Sequence, residues 1–474
     1  GTCCAAPATR IGDHRVGHTY LAITSNQPMS TIFWFRKDLR LADHPALNLA
    51  LESVGETYLL ATADQLGSPF DTLSPIRQNS LRSSWNHLQE SLEGRLAVVR
   101  SPDDLVSIAK KLGVAKVFVS EVFDSLGVKE LASVTTDLKS AGIEVVVGPG
   151  NYAVKPGTVC KDDGTPYKVY TPFYHAWLNH LNATPVGRAS LDSVRAIPTE
   201  WLSFAPQLDL GKNTIAGETQ ALATLHKFIE SRIEQYHEHR NRADLGGTSH
   251  LSHALSHGEI HPRTIISRLP SGDGAEVFVK ELAWREFYAD VLFQNPETLT
   301  DYLDKKYAKM RYEEPDERFE AWKAGRTGFP MVDAGMRQLA TTGWMHNRVR
   351  MIVASFLVKD LHIEWQHGAA WFEEHLTDYD PASNSHGWQW TAGSGTDASP
   401  YFRVFNPVTQ GLKFDPDGNY VRRFVKELAH LSGNKAHEPW DDPHGYSLGY
   451  PKRILDHATE RDEALRRLAE LKGL

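Results

Sequence analysis

The chain has 474 residues, of which 41% are hydrophobic and 23% are charged. This composition is typical of a globular protein with two or three domains, and it excludes a disordered or collagen-like chain. The 51 basic and 59 acidic residues give a net charge of −8, which argues against a surface built throughout for nucleic acid or anionic membrane but permits a local basic patch. No stretch approaches about 18 consecutive apolar residues, so no membrane-spanning segment is predicted.

Cysteine and tryptophan are unevenly distributed along the chain. The three cysteines are Cys3, Cys4 and Cys160, so the body of the chain has one thiol, no internal disulfide and no Cys-x-x-Cys metal pair. We therefore expect a cytoplasmic protein. Seven of the 12 tryptophans lie between positions 284 and 390.

Residues 1–28 contain neither an apolar period nor the continuous hydrophobic stretch of a signal peptide. We interpret them as an upstream extension, or a leader added for expression, that lies outside the fold. A flexible N-terminal arm is the alternative.

The segment from 29 to 154 alternates short apolar runs with helical patterns. The runs resemble buried parallel strands and lie at 32–35, 58–61, 96–99, 117–119 and 145–147. Helical stretches separate them at 45–54, 75–92, 104–112 and 128–140. This order predicts a doubly wound α/β domain with a parallel sheet. No Gly-x-Gly-x-x-Gly follows the first run and no P-loop occurs, so neither of those nucleotide sites is expected.

The pattern changes twice after 154. Residues 155–215 are poorly periodic and rich in proline, which indicates a long inter-domain connection, with one short helix at 172–181. From 216 to 474 the apolar spacing is helical and shows no convincing β-alternation, which predicts an all-α second domain. Its clearest helices are at 221–236, 276–293, 319–324, 330–341, 346–359 and 365–376.

Three groups of residues in the helical part could carry chemistry. In the segment 246–252, two glycines precede hydroxyl side chains, a pattern that suits an anion site at a helix N-terminus or an ordinary helix cap. Glu281, Trp284, Arg285 and Tyr288 share one helix face, where they would line a pocket or form a buried ion pair with aromatic packing. The segment 341–359 holds three basic residues and no acidic one.

The densest group of polar and aromatic residues lies at 378–390. It contains two acids, an asparagine, a histidine and two tryptophans. A metal site formed by His386 with Asp378 and Asp380 is one interpretation, because imidazole and carboxylate suit divalent ions. The two tryptophans, Trp388 and Trp390, favour a site for an aromatic cofactor or nucleobase instead, and we predict no metal centre.

These motifs together resemble those of the photolyase/cryptochrome family, and most closely a class I cyclobutane pyrimidine dimer photolyase. The resemblance runs from about Met29 to Tyr450 and includes the first strand with its continuation (Trp34 to Leu41), the Tyr170–Phe173 motif and every C-terminal motif above. It implies an α/β antenna-type domain, a helical catalytic domain that binds FAD, damaged DNA as partner and a monomeric state.

The resemblance also implies roles for individual residues. Those matched to FAD contacts are Tyr236, Thr248, Ser249, Leu251, Ser252, Arg285, Asn347, Arg350, Asp378, Asp380 and Asn384. Those matched to the pocket for the dimer are Glu281, Trp284, Asn347, Met351 and Trp390. The basic face expected to meet DNA phosphates includes Arg240, Arg348 and Arg403. In this family a dimer flipped out of the duplex receives an electron from excited, reduced FAD.

Three comparisons of residues discriminate within the family. (6-4) photolyases carry histidines at the positions of Asn347 and Met351, plant cryptochromes carry aspartate at the position of Asn384, and Trp390 is commonly tyrosine in other branches. All three favour repair of cyclobutane dimers. A cryptochrome-type photoreceptor without repair activity is the alternative.

The chain departs from the family pattern twice. The family's electron relay consists of three tryptophans, of which Trp388 and Trp365 match the inner two, whereas the outer position falls on Tyr312, with Trp322 as a possible substitute. We expect Tyr312 to be the terminal donor. The segment 120–130, where relatives bind a folate or deazaflavin antenna, matches poorly, so the sequence assigns no second chromophore.

Overall fold

A computed structural model describes residues 30–65, 67–202, 204, 216–397 and 402–473. The predicted extension at 1–28, with Cys3 and Cys4, lies outside the described residues, as does most of 203–215.

The N-terminal part is built on a parallel sheet. Its five main strands are β1 (Thr31–Phe35), β2 (Thr57–Thr62), β3 (Leu96–Val99), β4 (Lys116–Ser120) and β5 (Glu144–Gly148), in the spatial order β3-β2-β1-β4-β5. Alternate residues of one strand enter different cores: Phe33 and Phe35 pack on one face of the sheet, and Ile32 and Trp34 on the other. Burial on both faces explains why the strands read as continuous apolar runs.

Helices α1 (Pro45–Leu51), α2 (Pro75–Ser91), α3 (Pro102–Leu112) and α4 (Ser125–Ser140) connect the strands. The side chains of Ser74, Ser101 and Asp124 accept backbone N–H groups at the starts of α2, α3 and α4, which satisfies donors that have no partner within the helix. The doubly wound α/β architecture predicted for this part is confirmed.

The order of the strands reverses between β1 and β4, and a cleft of about 500 Å³ opens beyond their carboxyl ends. Clefts for ligands in open α/β sheets form at such a switch point. Arg36 and Lys37 line it just after β1, Val122 just after β4, and Tyr379 from the helical part of the chain. An ion pair of two buried side chains, Arg36 and Glu130, occupies one wall.

The described part of the segment after Val154 contains two elements that pack on the rest of the fold. Helix α5 (Tyr170–His180) forms where a short helix was predicted, and it buries Phe173 and Trp177. A two-residue strand, β6 (Val194–Arg195), extends the sheet by pairing with β2. The sequence did not reveal β6, because two residues cannot show a period and only the partner strand defines them.

The remaining regular elements of the described residues are α-helices and short 3-10 helices, apart from one isolated β-bridge between Glu313 and Ile363. The helices are α6 (Glu218–Ser231), α7 (Tyr236–His239), α8 (Ser252–Ser256), α9 (Pro262–Ile266), α10 (Asp273–Gln294), α11 (Glu317–Lys323), α12 (Pro330–Thr342), α13 (Asn347–Lys359), α14 (Trp365–His375), α15 (Pro381–Ala392), α16 (Pro407–Phe414), α17 (Asn419–Phe424) and α18 (His457–Lys472). The predicted all-α character is therefore confirmed for this part. In the portion of the chain that is described, none of the helices has the length and apolarity needed to cross a membrane.

One predicted helix is divided. The pattern at 221–236 indicated a single helix, but α6 ends at Ser231 because Arg232 leaves helical geometry with φ −139°. Tyr236 begins the separate helix α7. The apolar period continues across this break because Ile233 and Tyr236 pack into the same core as α6.

The connecting segment is fixed to the longest helix, α10, by a buried carboxylate. Glu286 accepts the backbone N–H groups of Ala153 and Val154, the latter at 3.0 Å, and the indole N–H of Trp177 at 2.6 Å. Burial raises the pKa of Glu286, and these three donors oppose the rise. One side chain of α10 therefore holds two separate pieces of chain, residues 153–154 and helix α5.

We expect Glu286→Gln to destabilise the protein by about 1–3 kcal/mol, because an amide has one acceptor oxygen and turns an NH₂ group toward buried N–H donors. Urea unfolding would measure the change. Glu276→Gln, at an exposed position of the same helix, is the control and should leave the unfolding midpoint unchanged. Equal midpoints for Glu286→Gln and the wild-type chain would contradict the prediction.

Candidate active site

Helix α10 presents an acid paired with an arginine. The Glu281 carboxylate accepts a hydrogen bond from Arg240, which follows α7, and each of the two side chains is 32% exposed. Desolvation raises the pKa of Glu281, whereas the guanidinium opposes the rise. The helix face was predicted either to line a pocket or to form a buried ion pair. The ion pair exists, but it remains accessible and can therefore also line a pocket. Burial raises the pKa of Tyr236 at the start of α7, and Arg240 opposes the rise.

Two partly exposed tryptophans lie on neighbouring helices. Trp284 belongs to α10, and its ring stacks on Tyr170 at 3.8 Å between centroids and 8° between planes. Trp390 belongs to α15, which packs against α10, and its indole N–H donates to the carbonyl of Asp397 at 3.1 Å. Sequence reasoning assigned the two tryptophans but missed Tyr170 and Asp397 as their partners. Tyr170 lay in a recognised motif, yet nothing local shows which ring it meets.

The start of α13 carries exposed Asn347 and half-buried Arg348. His346 caps this helix by accepting the N–H of Arg348 at 3.1 Å. The Arg348 guanidinium donates to Asn241 at 2.8 Å and lies 4.6 Å from the ring centroid of Phe414. These contacts hold Arg348 at the surface. Because neither partner is acidic, they leave the positive charge of the guanidinium group unneutralised. Met351, one turn later, is also partly exposed.

A second arginine–acid pair lies deeper. Arg350 donates to Asp378 Oδ2 at 2.7 Å and to the carbonyl of Met345 at 2.8 Å. Asp378 is buried, and its Oδ1 has no hydrogen-bond partner among the described residues. A buried carboxylate oxygen without a donor is costly. This atom is therefore suited to accept a hydrogen bond from a bound cofactor.

The hydroxyl-rich segment before α8 is organised by internal hydrogen bonds. Ser249 Oγ accepts the N–H of Leu251 at 3.3 Å, and Ser252 Oγ accepts the indole N–H of Trp344 at 3.2 Å. Both hydroxyls act as acceptors here, so their O–H groups can still donate to an anion. The helix dipole contributes little, because α8 has only five residues. The Thr248 carbonyl accepts from Arg232, and the Leu251 side chain is in the core.

The remaining residues matched to FAD lie around α15 and α10. Asp380 caps α15 by accepting the N–H of Ser383 at 2.8 Å, and the Asn384 amide donates to the Ala369 carbonyl at 3.0 Å. Arg285 donates to the carbonyl of Asn151 at 3.1 Å. Asp380 and Arg285 line one cleft of about 530 Å³, so the fold brings together two residues that are far apart in sequence.

The alternative metal site gains no geometric support. In the described part of the chain, no three His, Cys, Asp or Glu side chains converge in a way that could hold a metal ion. His386 is buried, lies 3.3 Å from the hydroxyl of Thr298, and has its pKa lowered to about 4 by desolvation. Asp378 and Asp380 have the separate contacts described above.

An aromatic path leads from Trp365 toward the surface. Trp388 and Trp365 are buried, and neither indole N–H has a partner among the described residues. Tyr302, which sequence reasoning missed, lies 6.1 Å from Trp365 and 6.4 Å from Tyr312, measured between ring centroids. Tyr312 is partly exposed, and desolvation raises the pKa of its hydroxyl group to about 12. Trp322 is 0% exposed, which does not suit a surface terminus.

Arg403 is exposed on a segment that α13 supports. Its backbone carbonyl accepts a hydrogen bond from Lys359, and the N–H of Phe405 donates to Ser355 Oγ at 3.3 Å. Lys359 is buried, and desolvation lowers its pKa to about 7. The Arg403 side chain extends from this anchored backbone.

Comparisons with known proteins agree with the sequence resemblance. Residues 31–190 match the family model described as DNA photolyase, and residues 278–470 match the FAD binding domain of DNA photolyase. The chain is 37% identical to a deoxyribodipyrimidine photo-lyase of Agrobacterium fabrum over 93% of this chain and 98% of that relative.

Two solved structures show the same fold. A bacterial class III photolyase from Agrobacterium tumefaciens has a TM-score of 0.84 at 36% identity, with 96% of this chain and 100% of that chain covered. A cryptochrome from Synechocystis has a TM-score of 0.78 at 29% identity, with 92% and 98% covered. Since one of these structures is a class III photolyase, similarity to class I remains a prediction.

The matches span both parts of the chain. The C-terminal match includes α10, α13 and α15, which carry Glu281, the Arg350–Asp378 pair and Trp390. The unpartnered Asp378 oxygen and the hydroxyl donors before α8 suit the cofactor of that domain. The chain therefore belongs to the photolyase/cryptochrome family, and FAD is its cofactor.

Proposed function

We propose that this protein repairs cyclobutane pyrimidine dimers in DNA with light, acting on a dimer flipped out of the duplex. The observation that carries this proposal is that α10 presents both Trp284 and Glu281, the latter in an accessible pair with Arg240. Trp390 lies on α15, which packs beside α10. When bound, reduced FAD supplies the electron that splits the dimer after light absorption. The protein's own residues bind the lesion, hold the cofactor and exclude water.

The pocket residues have complementary tasks. The faces of two indoles suit a pair of pyrimidines, and their area adds affinity by apolar contact. Glu281 accepts hydrogen bonds from the polar edges of the bases, and a carboxyl group whose pKa is raised can also donate when protonated. Arg240 keeps this acid close to the pocket. Asn347 and Met351 line the adjoining start of α13.

The FAD-binding residues divide into donors and acceptors. Arg285 and Arg350 place guanidinium groups in the site, and Ser249 and Ser252 offer hydroxyl donors to the phosphates. Asp378 and Asp380 offer carboxylate acceptors. We also assign FAD contacts to Tyr236, Thr248, Leu251, Asn347 and Asn384, with Asn384 facing the flavin ring system.

DNA binding depends on a confined basic face. A chain with a net charge of −8 repels DNA over most of its surface, so the phosphates must meet local arginines. Arg348 and Arg403 are on accessible segments. Such contacts bind the backbone without reading sequence, which suits an enzyme whose lesion occurs in any context. We further expect a monomeric, cytoplasmic protein.

A cryptochrome-type photoreceptor without repair activity is the second candidate, and the similarity to the Synechocystis cryptochrome favours it. Asn384, Trp390 and the pair Asn347 and Met351 favour repair. One assay separates the two: the reduced protein is mixed with DNA containing thymine dimers, and the dimers are counted after blue light and in a dark control. Absence of light-dependent loss would exclude the proposed function.

Glu281→Ala should reduce repair by roughly tenfold to a hundredfold, because it removes hydrogen bonds from an acid to the dimer worth about 1.5–3 kcal/mol. FAD content, read from flavin absorbance, should not change. Glu276→Ala is the control on the same helix. Loss of flavin from Glu281→Ala would show that this residue supports the cofactor site instead.

Tyr312→Phe should slow photoreduction of oxidised flavin, because phenylalanine cannot be oxidised in place of tyrosine. Repair by chemically reduced enzyme should stay at the wild-type rate. Transient absorption after a laser flash measures the first rate, and dimer counting measures the second. Tyr446→Phe, at another partly buried position of the same core, is the control. Photoreduction at an unchanged rate in Tyr312→Phe would reject the relay role.

Arg403→Ala should weaken binding to damaged DNA and lower the slope of log affinity against log salt by about one. The physical reason is release of fewer counterions when one phosphate contact is lost. Fluorescence anisotropy at a series of salt concentrations gives the slope. Arg466→Ala, on the exposed face of α18, is the control. An unchanged slope for Arg403→Ala would remove this residue from the DNA interface.

A further inference from the structure

The turn that follows α15 contacts both sides of the candidate pocket. On one side, the Trp390 indole N–H donates to the backbone carbonyl of Asp397 at 3.1 Å. On the other side, the Thr396 hydroxyl donates to the carbonyl of Lys168 at 2.7 Å, across 228 positions of sequence. Desolvation raises the pKa of the Asp397 carboxyl group, and the backbone N–H of Tyr170, the first residue of α5, opposes the rise. The turn at 396–397 therefore joins Trp390 to the chain that begins α5.

Tyr170 continues the connection to the opposite indole. Its ring lies parallel to Trp284 at 3.8 Å between centroids, and its hydroxyl donates to the carbonyl of Lys280 at 2.6 Å. Lys280 precedes Trp284 by about one turn of α10. Tyr170 is thus fixed at its hydroxyl by α10, and its buried ring covers one face of Trp284.

The backbone of Asp397 has an unusual conformation that these contacts explain. Its φ is +51°, in the left-handed region, which non-glycine residues seldom adopt and which surrounding contacts must impose. In this conformation the carbonyl accepts the indole N–H of Trp390, and the carboxyl group is close enough to the backbone N–H of Tyr170 for that group to lower its pKa. Asp397 therefore contacts Trp390 directly and approaches Trp284 through Tyr170.

We propose that Asp397 and Tyr170 are positioning residues that set the separation and orientation of Trp284 and Trp390, and so the preference for a joined pyrimidine pair over undamaged bases. This inference rests on the proposed function. A cyclobutane dimer is rigid and non-planar, so a pocket that selects it needs walls with a fixed spacing. Preorganised walls bind more tightly because little freedom is lost on binding.

Binding in the dark tests the proposal without any contribution from photochemistry. The affinity of the FAD-loaded protein is measured for a DNA duplex with one thymine dimer and for the same duplex undamaged. We expect Asp397→Ala and Tyr170→Leu to lose about tenfold in affinity for damaged DNA, the scale of one lost hydrogen bond to a charged group, with affinity for undamaged DNA unchanged.

Conservative variants separate positioning from general structural damage. Asp397→Asn keeps an acceptor for the Tyr170 N–H, and Tyr170→Phe keeps the ring on Trp284, so both should bind damaged DNA within about twofold of the wild-type protein. Flavin absorbance and the urea midpoint are recorded for each. If Asp397→Ala does not fold, the comparison of Tyr170→Leu with Tyr170→Phe decides the question alone.

Two results would overturn the inference. Either Asp397→Ala and Tyr170→Leu bind damaged DNA as tightly as the wild-type protein, or they lose affinity equally for both duplexes. Trp390→Ala, measured in the same assay, tests the proposed function separately. If Trp390→Ala also binds damaged DNA normally, the lesion pocket itself is misplaced, whereas a loss confined to Trp390→Ala leaves the pocket intact and rejects only the positioning roles.

Discussion

A single buried carboxylate determines how the two halves of the site meet. Glu286 accepts the N–H groups of Ala153 and Val154 and the indole N–H of Trp177, and so it ties the chain that leaves the α/β part, together with α5, to helix α10. The same helix carries Glu281 and Trp284 on a different face. Because α5 is held there, its first residue can stack on Trp284. A loose connection would leave that indole without a fixed partner.

Charge inside the site follows from the cost of burial. Glu281 pairs with Arg240 and Asp378 pairs with Arg350, since a carboxylate removed from water needs a cation or several donors. The accessible pair lies beside Trp284 on α10, and the deeper pair retains one unsatisfied oxygen. Under the proposed function, this acidic protein binds DNA through arginines such as Arg348 and Arg403, which lie on accessible segments.

Much of the fold could be predicted because the sequence patterns that indicate strands and helices are local. The apolar runs of β1 to β5 and the helical periods after 216 follow from which faces are buried, and the order of strands and helices implies the doubly wound sheet. The failures have physical causes: β6 is too short to show a period, and α6 ends at Arg232 although the apolar spacing continues. The segment 155–215 was interpreted only as an inter-domain connection with one short helix. Its proline content could not reveal that this helix, α5, packs on α10.

The sequence by itself determined the family, the residue types of the candidate site and the helix faces that display them. It could place Glu281 and Trp284 on one face of a helix, because that depends only on 3.6-residue spacing. Tertiary structure alone decided the partners: Arg240 for Glu281, Tyr170 for Trp284, Asp397 for Trp390 and Tyr302 between Trp365 and Tyr312. These contacts join residues from separate elements, and their geometry depends on how α5, α10 and α15 pack, which no local pattern encodes.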